Sequence, residues 1–537
     1  MVHKNEDIAE QIISALEKKA ESGDLEAIFQ LGWRYLYGKG VVQNIDRGSA
    51  LFQQAAERGN KKAIMFSRQS ALKEDRSTPE ISEKMLQDAK NGDPTAQTNL
   101  GICCSYGWGV VRDKNVAVSW YRRASENGGT EAMWRLGACL FSGDGVPEDK
   151  ERAVGWFQKS AELGNPIAQH NLWFCCQNGF GTKKDLKQAF QWLIQSAENG
   201  MVQSQYALSR IYESDDNDQK DSSQALKWRM RAAKQNHPEA LFDLGICHLK
   251  GIGLPANQGD AFKNILAAAR LGFDDAQFHL FIFYRDGLGT VRDEKQALHW
   301  LKRAAYRGHA SAQYHLGCCH LVGGPLKPDS KKAFDWFMRS AKQAQVGAQF
   351  RLGMAFAHGE GVDQDDQRAL AFFTEAAESG HPIAQMFLGD FLLKGIGCPK
   401  DPSKGFCWLK KSAEQEYPEA QLRLWAELVE SPPGYDQKGE GLEWLQRSAL
   451  NGHPEAQFQL GCAFMAGEGN DLDMEKAAHW FELAARQGHP LAQFNLGLCY
   501  FRGEGVRNDI KRAEEWLHKS SQQGVSEASK ILLEIRA

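Results

Sequence analysis

The stretch that decides the fold is residues 490–525, PLAQFNLGLCYFRGEGVRNDIKRAEEWLHKSSQQGV. Ala492, Leu496, Gly497 and Tyr500 are spaced to fall on one face of a helix. Gly503-Glu504-Gly505-Val506 follows as a turn, because glycine stops a helix and admits positive φ. Asp509 stands four residues before Ala513, which suits an N-cap accepting free backbone N–H groups. Ala513, Trp516 and the Ser520-Ser521 pair then mark a second helix. Pro490 opens the first one, where its missing N–H has no partner in any case.

Working outward, the same pattern recurs along the chain. The glycine of Leu-Gly falls at Gly101, Gly137, Gly245, Gly317, Gly353, Gly389, Gly461 and Gly497, always separated by multiples of 36 residues. Trp173, Ser209, Phe281 and Trp425 fill the remaining slots, each behind a leucine. Twelve units therefore run without an insertion. Gly32 centres an earlier unit, and residues 60–92 form a degenerate one about three residues short. A tryptophan column runs from Trp120 to Trp516, and an acidic N-cap column from Asp46 to Asp509 with Asn257 in one slot. Matched Gly and Ala are expected to let the two helices of a pair approach closely, with the Trp plugging the gap to the adjacent unit. A ring at Trp173, Phe281 or Trp425 is expected to splay its pair and alter curvature.

This combination, Ala-x-x-x-Leu-Gly-x-x-Tyr-x-x-Gly-x-Gly-Val then Asp-x-x-x-Ala-x-x-Trp-x-x-x-Ala-Ala-x-x-Gly, resembles the Sel1-like repeat, a relative of the tetratricopeptide repeat. The resemblance implies an all-α fold, an α/α superhelical solenoid of about fourteen 36-residue helix-turn-helix repeats. The expected organisation is a cap helix over 1–22, a first repeat over 23–59, a degenerate repeat over 60–92, twelve regular repeats over 93–524 and a closing cap over 525–537. The family's usual role implies a scaffold or adaptor that holds other proteins.

Composition narrows the partner. A net charge of −4 over 537 residues lacks the basic excess of a general nucleic-acid binder. No run of about 18 apolar residues occurs, so membrane insertion is not expected. The N-terminus has no basic segment leading into an apolar core, so no Sec-type signal is visible. Six of the twelve cysteines (Cys103, Cys139, Cys175, Cys247, Cys319, Cys499) sit two residues after the landmark glycine slot. At a repeated core slot they read as small hydrophobes, kept reduced in a cytoplasmic protein. Export by a signal-less route stays open.

Related helical repeats bind along the concave face lined by the first helix. If that geometry holds, the residue before the landmark leucine faces a ligand, and it is the least uniform column. Arg135, Asn171, Asp243, His279, His315, Arg351, Phe387 and Arg423 are the candidate partner-binding residues. The stretch from His279 to Arg423 leans cationic, which suits an acidic protein or peptide. Trp33, Phe141, Phe174 and Phe501 are either apolar anchors for that partner or repeat core.

Signals for chemistry are weak. Ser70-Ala71-Leu72-Lys73 matches the Ser-x-x-Lys of penicillin-recognising enzymes, yet the companion motifs are absent. Cys318-Cys319-His320 with His315 lacks four converging zinc ligands and reads as core. His237, His309, His381, His453 and His489 all follow the inter-unit glycine or its substitute and read as helix-cap residues. No enzyme activity, cofactor or metal is expected. An inhibitor, immunity or regulatory protein of a bacterial competition or host-interaction system is the alternative to a scaffold. A hydrolase or penicillin-binding enzyme stands last.

Overall fold

The computed structural model describes residues 24–37 and 83–536, except 109, 215–219, 431–437 and 468–471, together with isolated positions between 16 and 55. The described residues form twenty-seven helices and no strand. They gather into two compact units, residues 1–235 and 236–537. Most of the expected cap over 1–22, the N-cap Asp46 and the Ser70–Lys73 motif lie outside the described residues. Of the degenerate repeat, helix Glu83–Lys90 is described.

In both units a helix A and a helix B alternate, nearly always thirteen residues each, as in Pro166–Asn178 followed by Leu186–Glu198. Helix B begins at the aspartate column. Asp185 adopts an extended backbone, and its carboxylate accepts the N–H groups of Lys187 and Gln188. Asp113, Asp221 and Asp293 act in the same way, and Asn257 accepts from Asp260. Each such cap is worth about 1 kcal/mol. Helix A stops at a left-handed glycine such as Gly179 or Gly503. The next glycine of the turn docks one repeat on its predecessor. Gly505 has φ +72, and a Cβ there would fall on the Met474 carbonyl at the start of the preceding helix B. Left-handed backbone and close approach both demand glycine.

Within a pair, the landmark glycine takes the residue that follows the tryptophan slot. A Cβ on Gly137 would stand 2.7 Å from the Phe157 ring and 3.1 Å from the carbonyl oxygen of Ala153. Gly353 meets Phe373 and Gly461 meets Phe481 in the same manner. The close approach is thus glycine against a large side chain, a ring in five pairs and Ile265, Leu409 or Leu517 in the others, with the neighbouring backbone beside it. Where a ring fills the slot instead, the facing residue is a leucine: Leu193 opposite Trp173, Leu301 opposite Phe281 and Leu445 opposite Trp425. All three leucines are fully buried, as are Leu409 and Leu517 opposite glycine, so the ring is accommodated with an ordinary occupant of the facing slot. The tryptophans themselves are buried or half-buried, and most carry a cation from three residues on. Lys159 lies 4.4 Å from the Trp156 ring, Arg339 4.7 Å from Trp336 and Lys411 4.0 Å from Trp408.

A further column was not anticipated. Ten buried glutamines follow the helix-A alanine or its substitute: Gln97, Gln169, Gln205, Gln277, Gln313, Gln349, Gln385, Gln421, Gln457 and Gln493. In the first unit, Gln169 Nε2 donates to the Ala161 carbonyl of the preceding helix B at 3.1 Å, while its Oε1 accepts from Asn199 at 2.9 Å. In the second, Gln457 donates to Ala449 at 3.1 Å and accepts from Gln487 at 2.8 Å. The amide therefore joins three helix ends through one buried side chain, and most of the buried amides are satisfied in this way. Serines in the helix-B Ser-Ala pairs add a second tie. Ser160, Ser412 and Ser520 donate to the first carbonyl of their own helix A at 2.7–2.8 Å. Helix Ser526–Arg536 closes the second unit, burying Ala528 and Leu532 against Leu517.

Candidate interaction surface

The variable column sits on helix A one residue before the buried leucine, so its side chains emerge where one repeat meets the preceding one. All eight candidates are half-buried. In the first unit the Arg135 guanidinium lies 4.6 Å from the Trp134 ring and bonds Glu131 at 2.8 Å. Asn171 stands one repeat further on.

In the second unit the column leans on an aromatic one. Phe242, Phe278, Tyr314 and Phe350 occupy the position two before the leucine and touch the next repeat's candidate. His279 meets Phe242 edge-on at 4.8 Å, and its Nδ1 lies 2.9 Å from the Asp275 carbonyl oxygen. His315 packs between Phe278 and Phe281 at 5.4 and 5.6 Å. Arg351 faces Tyr314 and Cys318. Phe387 stacks on Phe373 at 5.3 Å and lies 6.0 Å from Phe350. Arg423 pairs with Asp390 of the preceding repeat and with Glu419 at 3.1 Å. Asp243 lies within electrostatic reach of His237. The column is therefore part of the stacking interface as well as of the surface, which its variability in sequence concealed.

This changes the charge expected there. Burial pushes the imidazoles of His279 and His315 below the ordinary histidine range, and Arg285 adds to this at His315. Arg135 and Arg423 already have carboxylate partners. Little of the apparent cationic lean is left uncompensated on this face.

The cap-region histidines form a repeated clasp. His309, His453 and His489 precede helix A, and Nδ1 of each accepts the backbone N–H three residues on at 3.1–3.3 Å. An Nδ1 that accepts carries no proton, so the proton sits on Nε2. That nitrogen donates to the preceding repeat's Asp275, Glu419 and Glu455 at 3.0, 2.7 and 2.9 Å. His309 and His489 also stack on Phe278 and Phe458. His381 caps and stacks likewise, whereas His237 makes no side-chain cap bond.

Cys318, Cys319 and His320 gather no metal set; no cluster of three His, Cys, Asp or Glu suited to a metal occurs among the described residues. Burial raises the thiols of Cys103, Cys139, Cys175, Cys319 and Cys499 at the repeated slot, which favours their protonated form. Burial pushes the thiols of Cys175 and Cys499 up to about 11. Cys139 and Cys319 are less deeply buried than Cys103, Cys175, Cys247 and Cys499. No described helix is long and apolar enough to cross a membrane.

Columns filled in the same way repeat after repeat, with one variable face, define a helical-repeat solenoid protein. The Sel1 repeat model matches residues 25–60, then 94–344 and 346–417 in consecutive segments, 435–453, and 454–525 in two more. The chain belongs to the Sel1 repeat family, whose members are generally protein-interaction scaffolds and typically not enzymes. Among solved structures, a protective antigen of uropathogenic Escherichia coli displaying an SLR fold is 29% identical, covering 84% of this chain and 90% of that one, with a TM-score of 0.46. A Sel1 repeat protein from Oxalobacter formigenes is also 29% identical over 68% of this chain and 93% of its own, with a TM-score of 0.37. An immunity protein of Pseudomonas aeruginosa is 21% identical over 41% and 82%, with a TM-score of 0.27. No curated protein matches significantly.

Proposed function

We propose that the chain is an interaction scaffold that binds a partner protein or extended peptide along its helix-A surface. Arg135, Asn171, Asp243, His279, His315, Arg351, Phe387 and Arg423 are the residues proposed to meet it. The observation that carries this reading is the contrast between columns. Caps, glycines, glutamines and alanines are filled alike in nearly every repeat, while this half-exposed column holds charged, amide, imidazole and aromatic groups in turn. Fold alone does not name a partner. The near-neutral charge supports protein over nucleic acid. Cysteines placed at core slots, without a spacing that suggests a disulfide framework, support a cytoplasmic location.

The test is affinity capture from the native source with the full chain and with Arg351→Glu and Phe387→Ser variants. A specific protein retained by the parent and lost from both variants is the expected result. A partner that both variants retain in full removes the second unit's face as the binding site.

A further inference from the structure

Exposed aromatic side chains are few among the described residues: Tyr106, Trp108, Phe174, Phe180 and Tyr306. Four of these five lie within residues 106–180 of the first unit, at the ends of helix A and in the turns that follow. They form two clusters. Phe174 and Phe180 are 5.6 Å apart, and Phe141 meets them edge-on at 6.4 and 6.1 Å. Tyr106 and Trp108 stack at 5.0 Å. Trp108 and Phe180 occupy the same slot, the middle residue of Gly-x-Gly, two repeats apart. Elsewhere that slot holds Lys39, Asp144, Ile252, Leu288, Gly324, Glu360, Ile396, Glu468 or Glu504, so the fold does not require a ring there.

Unpaired cations lie beside these rings. Lys183 and Lys184 follow Phe180, and Arg112 follows Trp108; none has a carboxylate at ion-pair distance among the described residues. The Lys150 ammonium lies 5.7 and 5.6 Å from the Phe141 and Phe180 rings and pairs with Glu148. Asp144, in the repeat between the clusters, is paired with Lys114. Asp144 and Glu148 are thus in ion pairs and Asp113 and Asp185 cap helices, whereas Lys183, Lys184 and Arg112 pair with no carboxylate among the described residues.

We propose that this face of the first unit binds an extended, acid-flanked segment of a partner protein. Two apolar or aromatic side chains of that segment seat on the Phe141–Phe174–Phe180 and Tyr106–Trp108 clusters. This rests on the reading of helix A as the binding side and adds the location and the partner's chemistry. Exposed rings supply the anchoring area that dominates interfaces. Lys183, Lys184 and Arg112 select acidic flanks and speed encounter. At about 10 Å per repeat the two clusters lie about 20 Å apart, which an extended chain spans in about six residues. A periodic pair of anchors suits a strand-like ligand crossing the repeats.

The experiment is selection of a displayed library of random peptides, about twelve residues long, on the full chain, followed by anisotropy with one labelled winner. Enriched peptides are expected to carry two apolar residues about six apart among Asp and Glu. Phe180→Ser is expected to weaken the winner about tenfold or more. Lys183→Glu with Lys184→Glu is expected to weaken it several-fold and flatten its salt dependence. These side chains are exposed, and unchanged helical circular dichroism confirms folding. Phe174→Ser serves as a second variant. Lys530→Glu, exposed on the last helix of the other unit, is expected to leave the affinity unchanged. No enrichment, enrichment of basic or purely polar peptides, or indifference to both Phe→Ser changes overturns the proposal. If the captured native partner is lost on Arg351→Glu but not on Phe180→Ser, the scaffold reading survives and this one fails.

Discussion

Replacing Gln457 by leucine isolates the amide tie between repeats. Gln457 is 5% exposed. It donates to the Ala449 carbonyl and accepts from Gln487, whose amide also reaches the Gly452 carbonyl at 3.1 Å. Leucine deletes two hydrogen bonds, each worth about 1 kcal/mol net. Ala449 keeps a bond from the Gly452 N–H at 3.1 Å, so no carbonyl is orphaned. Burying an isobutyl group in place of an amide returns about 1 kcal/mol. The expected net loss is about 1–2 kcal/mol. The sequence itself supplies the compensating change. Where the glutamine is absent, at Met133 and Leu241, the residue thirty positions on is Leu163 or Leu271, each largely exposed. Gln457→Leu with Gln487→Leu is therefore expected to lose less than the sum of the single changes, by about 1 kcal/mol. Repeat arrays open locally, so native-state amide hydrogen exchange in helices Lys438–Leu450 and Pro454–Ala466 is the appropriate assay. Protection there should fall about five- to thirty-fold in Gln457→Leu and partly recover in the double variant. Unchanged protection in the single variant, or strict additivity in the double, refutes the account.

Three other outcomes are expected. Gly353→Ala places a methyl 2.5 Å from the Phe373 ring and should cost about 1–3 kcal/mol, with partial rescue by Phe373→Leu; urea midpoints of the two variants check both. Ala344 holds φ +57 in a slot that is glycine in most repeats, so Ala344→Gly should stabilise by about 0.5–1 kcal/mol, seen as a raised melting temperature. The Glu419 carboxyl is held down to about 2, first by the hydrogen bond from His453 and then by Arg423. A depressed carboxylate contributes stability above its unfolded value, near 4.5, and loses it as pH falls toward 2. Glu419→Gln should therefore remove part of the acid sensitivity in that window, measured by urea midpoints against pH; an unaltered profile contradicts the pairing.

The fold was legible because its strongest constraints act on single residue types at fixed spacing. Asp185 and its column read as caps, and Gly505 had to be glycine, since no other residue meets both the left-handed backbone and the contact. The glutamine column was equally periodic but carried no local signature. Glutamine is an ordinary helix residue, and only the second partner thirty positions away reveals the tie. The binding column was harder still. Variation at His315 and Arg423 reads as freedom, yet Phe278 and Phe281 enclose the first while Asp390 and Glu419 hold the second. Side-chain exposure and charge pairing depend on the preceding repeat, which spacing within one repeat does not report.

Deviations in the glutamine column come in pairs: Met133 with Leu163 and Leu241 with Leu271. Each pair gives up both partners of one amide bond, so these exceptions are explained by stacking and need no ligand. Applying the same test to Phe180 gives the opposite result. Its slot is a loop tip, it packs against the exposed Phe174 and the half-buried Phe141, and the adjacent Lys183 and Lys184 are in no ion pair among the described residues. A deviation that the fold does not compensate needs a reason outside the fold. That asymmetry, rather than variability alone, is what distinguishes a recognition surface from drift in a repeat protein.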